Sequence, residues 1–297
     1  MFRVTENTLY RNSLRDIQRT AEDFARAQQQ VSSGRRLERA SDDPSSAATG
    51  LTERAELRAV DRYREANDSV DARLRVADTV LSDIISSITT ATTRAVAGRT
   101  TVLTPEQREA VALEIEGARE AVFTAINTSY RGIYVFSGAQ TTAAPYTKAG
   151  SAVSAYQGDA TVVKLDVSRT SAAAVTFDGS SVLQGSAAQD VFQTLDALAT
   201  AVRNGDMSGI DAGIADLDQA FTRVTTAQSR VGATLSALPT EKARLDEMRR
   251  ASDTRRSQAE EIGTAEAISE MARAQQAQQM AIAAAGQIQR RTLMDYL

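Results

Sequence analysis

The sequence predicts a mainly α-helical protein with a small β-rich insertion, in which long helices from the N- and C-terminal halves form a bundle or coiled coil. Apolar residues recur at steps of three and four at both ends of the 297-residue chain, which is the period of helices that pack along a seam. The chain contains 4 prolines, so long uninterrupted helices are possible. Between Gly132 and Gly185 the period disappears and small residues dominate, which indicates strands and turns.

Both ends of the chain carry narrow apolar stripes with coiled-coil spacing. A stripe of this width cannot form a globular core alone, so each end needs a partner: the other end, another copy, or both. We therefore predict an assembly seam. Its residues are Tyr10, Leu14, Ile17, Phe24 and Val31 near the start, and Ile268, Ile282, Leu293, Tyr296 and Leu297 near the end.

The first helix is predicted over about residues 5 to 33. Gly34 follows it, and glycine accepts the left-handed conformation that ends many helices. A connector then leads to two adjacent aspartates, of which Asp43 is placed to cap a second helix that begins with Pro44. Such a pair could also bind a metal or act as acid and base, but at a helix start it more often stabilises the positive helix end. The predicted helix-connector signature consists of Gly34, Ser41, Asp42, Asp43 and Pro44.

The remaining helices are predicted from further apolar periods. The second helix runs over about residues 44 to 98, and its inward row is Leu74, Ala77, Leu81, Ile84, Ile88, Ala91 and Ala95. Thr104 opens a capping box for the third helix. After the insertion, helix returns at about residue 188, and the longest apolar run extends from Met207 to Leu245. Its predicted inward row is Met207, Ile210, Ile214, Leu217, Phe221, Val224, Gln228, Val231, Leu235, Leu238, Lys242 and Leu245. Pro239 lies inside that run. Because the apolar phase continues across it, we predict a kink there and not a helix end.

Short strands are predicted inside the insertion, with a turn at Asp178-Gly179. They are recognised by β-branched and aromatic residues bounded by turn residues. The predicted strand residues are Ile133–Phe136, Tyr156, Thr161–Val167 and Val175–Phe177.

This order of elements predicts three domains. Residues 1–43 and 255–297 would form a terminal coiled-coil assembly domain. Residues 44–131 and 186–254 would form a helical-bundle domain, and residues 132–185 an inserted β-rich domain. The arrangement is nested, because each segment of the first half pairs with a segment of the second.

The composition argues against several classes of function. Cys and His are absent, which removes thiol nucleophiles, disulfides, imidazole bases and the usual zinc ligands. The net charge is −4, and the arginines are spread among acidic residues instead of forming the basic face of a nucleic-acid binder. No run approaches the roughly 20 apolar residues of a membrane span. The start lacks the apolar core of a signal peptide, so secretion would use a route without a cleaved leader.

We predict no enzymatic activity, no cofactor and no metal site. A glycan hydrolase would need paired carboxylates in a cleft, and the insertion offers only Asp159, Asp166 and Asp178. A secreted helical adhesin or translocator is a further class. It would share the heptads but should lack the signature between Gly34 and Pro44.

Motifs at both ends resemble those of a known family. Gln28–Leu37, followed by Ala40–Pro44, resembles the N-terminal signature of the flagellin superfamily. The opening Arg3–Leu14 and the ending Leu293–Leu297 resemble its hook–filament junction members more than its filament-forming flagellins. The resemblance covers nearly the whole chain and is weakest in the insertion, and Pro239 departs from the family pattern.

The resemblance implies a structural protein that connects hook to filament in the bacterial flagellum. Such a protein would be exported by the flagellar type III system to the extracellular flagellum. It would assemble as a ring through terminal helices that order only on assembly. The implied partners are other copies, the hook-side junction protein, flagellin and an export chaperone, without nucleic acid or membrane insertion. The alternative within the family is a filament-forming flagellin.

Overall fold

Over the residues that the structure describes, the chain forms seven α-helices and six short β-strands. The computed structural model describes residues 6–37, 39–100, 103–150, 152–184 and 190–294. The chain is 74% helical, with small antiparallel strand pairs in the middle, so the predicted fold class is confirmed. The helices are α1 (Glu6–Ser33), α2 (Pro44–Gly98), α3 (Pro105–Ile126), α4 (Gly179–Leu183), α5 (Val191–Asn204), α6 (Met207–Glu260) and α7 (Thr264–Met294).

Local capping signals set several of the helix ends. The Thr104 hydroxyl accepts a hydrogen bond from the Gln107 amide at 3.3 Å, and the Gln107 side chain accepts one from the Thr104 amide at 2.9 Å. This is the predicted capping box of α3. Asp190 caps α5, and Gly205, with φ of +69°, ends it in the left-handed conformation. These ends follow from the identity of a few residues and need no tertiary contact.

The six strands form three separate antiparallel pairs between α3 and α4. In the last pair Lys164 lies opposite Ala174, and Asp166 lies opposite Ala172. The pairs are β1 (Ser129–Tyr130) with β2 (Ile133–Tyr134), β3 (Lys148–Ala149) with β4 (Ala152–Val153), and β5 (Lys164–Asp166) with β6 (Ala172–Ala174).

The predicted strands are partly wrong in extent. The strand predicted over Ile133–Phe136 has two residues and the one over Thr161–Val167 has three, while Tyr156 and Val175–Phe177 lie outside strands. Asp178 caps the short helix α4 instead of forming a turn. Aromatic and β-branched residues of this region fill a helical core, and that burial gives the same sequence pattern as strand pairing.

Two compact units divide the chain. We call Met1–Ala59 with Met248–Leu297 the terminal unit, and Val60–Glu247 the inner unit. Helices α2 and α6 contribute residues to both. The predicted division into three domains stays a prediction.

The inner unit has a core of large aliphatic and aromatic side chains. Every predicted inward position of α2 from Leu74 to Ala95 is at most 1% exposed. Phe192 of α5 packs edge-on against Phe123 of α3 and Tyr146 of the β region, with ring centroids 6.4 and 5.1 Å apart. The β region therefore shares one core with the helices. The largest side chains in this core with under 2% exposure are Tyr146, Phe136, Phe192, Leu74, Leu81, Ile84, Ile88, Ile115, Ile126, Leu183, Leu195 and Leu198.

Helix α6 is unbroken from Met207 to Glu260, with Pro239 inside it. The prediction that Pro239 does not end the helix is confirmed, and the kink stays a prediction. Every seventh residue of the predicted inward row of α6 is buried, and most of the others are half-buried, but Phe221 is 38% exposed. The buried residues are Ile210, Leu217, Val224, Val231, Leu238 and Leu245. Lys242 also lies outside the core, because its ammonium pairs with the Asp68 carboxylate at 2.7 Å.

Candidate functional site

The terminal unit contains the paired helices α1 and α7. On α7, the buried and half-buried side chains recur at steps of four and three, the spacing of a coiled-coil seam. Most of these side chains are small, so the two helices can approach closely while little apolar surface is buried between them. The row consists of Ala267, Met271, Ala274, Gln278, Ala281 and Ala285, and Ala277 beside it is half-buried as well.

On α1, the predicted seam coincides with the less exposed face of the helix. Ile17, Phe24 and Val31 are half-buried, and Ala27 is 6% exposed. Ala27 therefore belongs to the less exposed face of α1, and its neighbour Gln28 is exposed. Three of the five predicted seam residues of α1 therefore lie on its less exposed face, and the best-buried residue of that face is Ala27.

On α7, the predicted seam lies one residue after the buried row. Ile268 and Ile282 are each 54% exposed, and Tyr10 and Leu14 of α1 are 50% and 41% exposed. Met280 is 60% exposed as well. We call these five residues the exposed apolar set. They lie on the paired helices without being covered by them.

The structure does not describe the side chains of the last three predicted seam residues. Leu293 belongs to α7, but its side chain lies outside the described residues, as do Tyr296 and Leu297 entirely. The role of the seam in assembly stays a prediction.

The connector signature has a defined geometry at both of its ends. Gly34 has φ of +68°, and its amide donates to the Gln30 carbonyl at 2.9 Å, which is a left-handed helix end. The Asp43 carboxylate accepts from the amides of Ser45 and Ser46, each at 3.1 Å, and so caps α2. Hydrogen bonds from Ser46, followed by the charge of Arg36, lower the pKa of Asp43.

The middle of the connector is a tight turn. The Asp42 carboxylate accepts from the Arg39 amide at 2.9 Å, and the Asp42 amide donates to the Arg39 carbonyl at 3.0 Å. Ser41, which lies between Arg39 and Asp42 in this turn, is exposed. The two aspartates thus have separate structural tasks, turn and cap. Within the part of the chain that the structure describes, no group of three or more His, Cys, Asp or Glu could hold a metal ion.

The connector is bound to the segment that joins α6 to α7. The Arg36 amide donates to the Glu260 carbonyl at 2.8 Å, and the Ile262 amide donates to the Gly34 carbonyl at 3.1 Å. The Arg36 guanidinium also donates to the Ala259 carbonyl at 2.9 Å. Backbone pairing therefore fixes where α1 ends relative to where α7 begins.

A buried carboxylate lies at the centre of this contact. The Glu260 side chain is 8% exposed and pairs with Arg54 at 2.6 Å, with Arg256 at 3.7 Å and Arg35 at 3.9 Å around it. Gly50 of α2 leaves the necessary space, since a Cβ there would lie 2.3 Å from Glu260 Oε1. Three arginines around one buried carboxylate offset the cost of its desolvation.

Sequence reasoning missed this contact. A glycine in the middle of a helix, such as Gly50, was the available signal, because it often marks a close approach of another group. No local signal identifies Glu260 as its partner, since the two residues are brought together only by the fold.

Two family descriptions match the chain. The bacterial flagellin N-terminal helical region matches residues 4–141, and the bacterial flagellin C-terminal helical region matches residues 214–297. The chain belongs to the flagellin family. The matched regions include α1, α7 and the connector, so the candidate site lies in the part of the chain that the family shares.

Within the family, the chain is similar to flagellar hook-associated protein 3 of two bacteria. It is 24% identical to the Escherichia coli protein over 227 residues, which are 75% of this chain and 67% of the relative. It is 25% identical to the Salmonella typhimurium protein over 148 residues, 50% of this chain and 47% of the relative. The chain thus spans about half the length of the Salmonella relative.

Solved structures share the fold. A putative flagellar hook-associated protein from Vibrio parahaemolyticus superposes with a TM-score of 0.69 at 20% identity, covering 74% of this chain and 100% of that one. FlgL from Xanthomonas campestris superposes with a TM-score of 0.61 at 17% identity, covering 67% and 97%. None of the helices, as far as the structure describes them, is long and apolar enough to cross a bilayer.

Proposed function

We propose that this flagellin-family chain is a structural protein that joins hook to filament in the bacterial flagellum, and that it assembles as a ring through α1 and α7. Two kinds of observation support the proposal. The flagellin matches cover both terminal regions, and the curated relatives are named flagellar hook-associated protein 3.

The exposed apolar set is the observation that carries the assembly part of the proposal. Ile268 and Ile282 are each 54% exposed and are two heptads apart, so they share one face of α7, whereas Met280 lies on another face. An apolar face on a helix is typical of a contact site for another protein. A second copy that packs its terminal helices against this face would bury both isoleucines.

Export and the remaining partners are part of the same proposal. The chain would leave the cell through the flagellar type III system and reach the extracellular flagellum. Its partners would be the hook-side junction protein, flagellin and an export chaperone. The task is mechanical and needs no catalytic residue, cofactor or metal.

The assembly proposal is tested with matched surface substitutions in a strain that lacks the chromosomal copy. Ile268→Lys and Ile282→Lys place a charge on the exposed apolar set. Leu113→Lys is the control, because Leu113 is 55% exposed on α3 of the inner unit. We expect the first two variants to be secreted but to leave flagellin in the medium as monomer. The control should build filaments, since charging an exposed side chain outside a contact changes stability by less than about 0.5 kcal/mol.

Two results would count against this proposal. If cells with Ile268→Lys or Ile282→Lys build normal filaments, the terminal helices do not form the assembly contact. The strain that lacks the chromosomal copy gives the second result. If its hooks still carry a junction to the filament and it releases no flagellin monomer into the medium, the chain is the filament protein.

A further inference from the structure

Three stretches of the β region are joined at one place by backbone hydrogen bonds. We call residues 135–138 the central segment. The Phe177 amide donates to the Val135 carbonyl at 2.8 Å, and the Asp159 amide donates to the Ser137 carbonyl at 3.0 Å. Val135 and Ser137 are 2% and 0% exposed. The central segment therefore binds two later stretches of the chain through buried backbone groups.

The Tyr156 hydroxyl lies at the centre of this junction. It can donate to the Phe136 carbonyl at 3.0 Å or to the Asp159 carbonyl at 3.3 Å, and it accepts from the Gly179 amide at 3.3 Å. Burial raises the pKa of Tyr156 to about 12, so the hydroxyl keeps its proton at neutral pH and remains a donor. One side chain thus joins the central segment to both later stretches.

Two glycines leave the space that the junction needs. A Cβ on Gly138 would overlap the Asp159 carbonyl, and a Cβ on Gly158 would overlap the Tyr156 hydroxyl. Gly138 also has φ of +63°, a left-handed conformation that glycine adopts without strain. The close approach of these stretches therefore depends on residues without side chains.

The two longer hairpins both have their bases at this junction. The β3–β4 hairpin precedes Tyr156, and the Gln157 amide donates to the Pro145 carbonyl at its base, at 2.8 Å. The β5–β6 hairpin follows, and the Val175 amide donates to the Val163 carbonyl at its base, at 2.9 Å. Two-stranded pairs of this length have little stability alone, so each hairpin depends on how its base is held.

Each hairpin also has a contact of its own with a helix. Lys148 of β3 pairs with Glu120 of α3, and its ammonium lies 4.4 Å from the centroid of the Phe123 ring. Beyond β5, the Val167 carbonyl accepts from the Asn67 side chain of α2 at 2.8 Å. These contacts hold the two hairpins to different helices. The junction at their bases is where their motions can be coupled.

We propose that Tyr156 and the central segment form a clasp that couples the β3–β4 and β5–β6 hairpins, so that neither opens without loosening the other. When one base opens, buried carbonyl groups of the central segment lose their partners, and an unpaired buried group is destabilising. The other base shares this segment and is loosened with it. Tyr156 is the positioning residue of the clasp. The proposal concerns the inner unit alone and does not depend on the proposed flagellar function.

Hydrogen exchange of the purified full-length protein tests the clasp. Tyr156→Phe should accelerate amide exchange in residues 146–157 and in residues 163–177 by about tenfold each, the effect of losing about one buried hydrogen bond. Tyr134→Phe is the control, because it removes the same group from a half-buried tyrosine of β2 whose hydroxyl is not part of the clasp. The control should leave both rates within about twofold of the wild type.

A change inside one hairpin tests the coupling itself. Lys148→Ala removes the contact of β3 with α3 and should accelerate exchange in residues 146–157 by about threefold. Because the clasp transmits the opening, residues 163–177 should accelerate as well. Acceleration confined to residues 146–157 in this variant would overturn the clasp. Acceleration of one hairpin or of neither in Tyr156→Phe, or equal acceleration of α5, would overturn it too.

Discussion

The terminal unit and the inner unit are both built from long helices, yet they differ in what the helices bury. The inner unit encloses leucine, isoleucine, phenylalanine and tyrosine side chains with under 2% exposure. Among the described residues of the terminal unit, the buried apolar side chains are Ala27, Ala259 and Ala267. The terminal unit therefore gains far less from burial, since apolar stabilisation grows with the area removed from water.

This difference teaches that the helical period alone does not tell a self-sufficient bundle from an assembly element. Both units show the same steps of three and four. What separates them is the size of the side chain at the facing positions and the exposure of the large ones nearby. A helix pair that buries alanines and exposes isoleucines is stabilised when a partner covers it.

The largest expected effect is a difference in the free energy of unfolding between alanine variants of two leucines in the same helix, α2. Leu81 is 1% exposed in the inner unit, and Leu51 is 61% exposed in the terminal unit. Leu81→Ala should lower the free energy of unfolding by about 2–5 kcal/mol, and Leu51→Ala should change it by less than about 0.5 kcal/mol. Urea denaturation followed by circular dichroism measures both. If both variants lose a similar amount of unfolding free energy, the two units do not differ in how much burial stabilises them.

A smaller effect is expected at the connector contact. Gly50→Ala adds a Cβ that would lie 2.3 Å from Glu260 Oε1, so the carboxylate must leave its arginine partners. Gly232→Ala is the control, since its Cβ would meet nothing within 4 Å. We expect the control to stabilise α6 by up to about 1 kcal/mol, and Gly50→Ala to destabilise the connector by about 1–3 kcal/mol. Hydrogen exchange over residues 34–46 and 259–262 is the measurement, and unchanged exchange in Gly50→Ala would contradict the role of Glu260.

The smallest expected effect is the pH dependence of the α2 cap. The pKa of Asp43 is lowered in the folded chain from its usual 3.8, so its cap stabilises the helix start above that value. The contribution is lost as the pH falls through the lowered pKa. The amide resonances of Ser45 and Ser46 should shift in an acid titration of the wild-type protein. They should stay nearly constant in Asp43→Asn, which caps without titrating.

Sequence reasoning succeeded where a few neighbouring residues decide the structure. The start of α2 at Pro44, the capping box at Thr104 and the inward row from Leu74 to Ala95 were all predicted from local patterns. The continuity of α6 across Pro239 followed from the phase of its apolar residues. Each of these features depends on residues within a few helical turns.

Other features could not be placed from the sequence, because only the fold decides them. On α7, Ile268 and Ile282 were predicted on the assembly seam, while the pairing with α1 uses the alanines one position earlier. Apolarity identifies residues that avoid water, but it does not say whether the same chain or another one covers them. The contact of Gly50 with Glu260 joins residues 210 positions apart, and no single-sequence pattern connects them.

Limited proteolysis with mass mapping, on the free monomer and on the assembled flagellum, tests the central claim most directly. In the monomer we expect α1 and α7 to be trimmed first, leaving a stable fragment that contains Val60–Glu247, because the helix pair alone buries too little to resist opening. In the assembly both helices should resist. If α1 and α7 of the free monomer survive as long as the inner unit does, the terminal helices are self-sufficient and the account is contradicted.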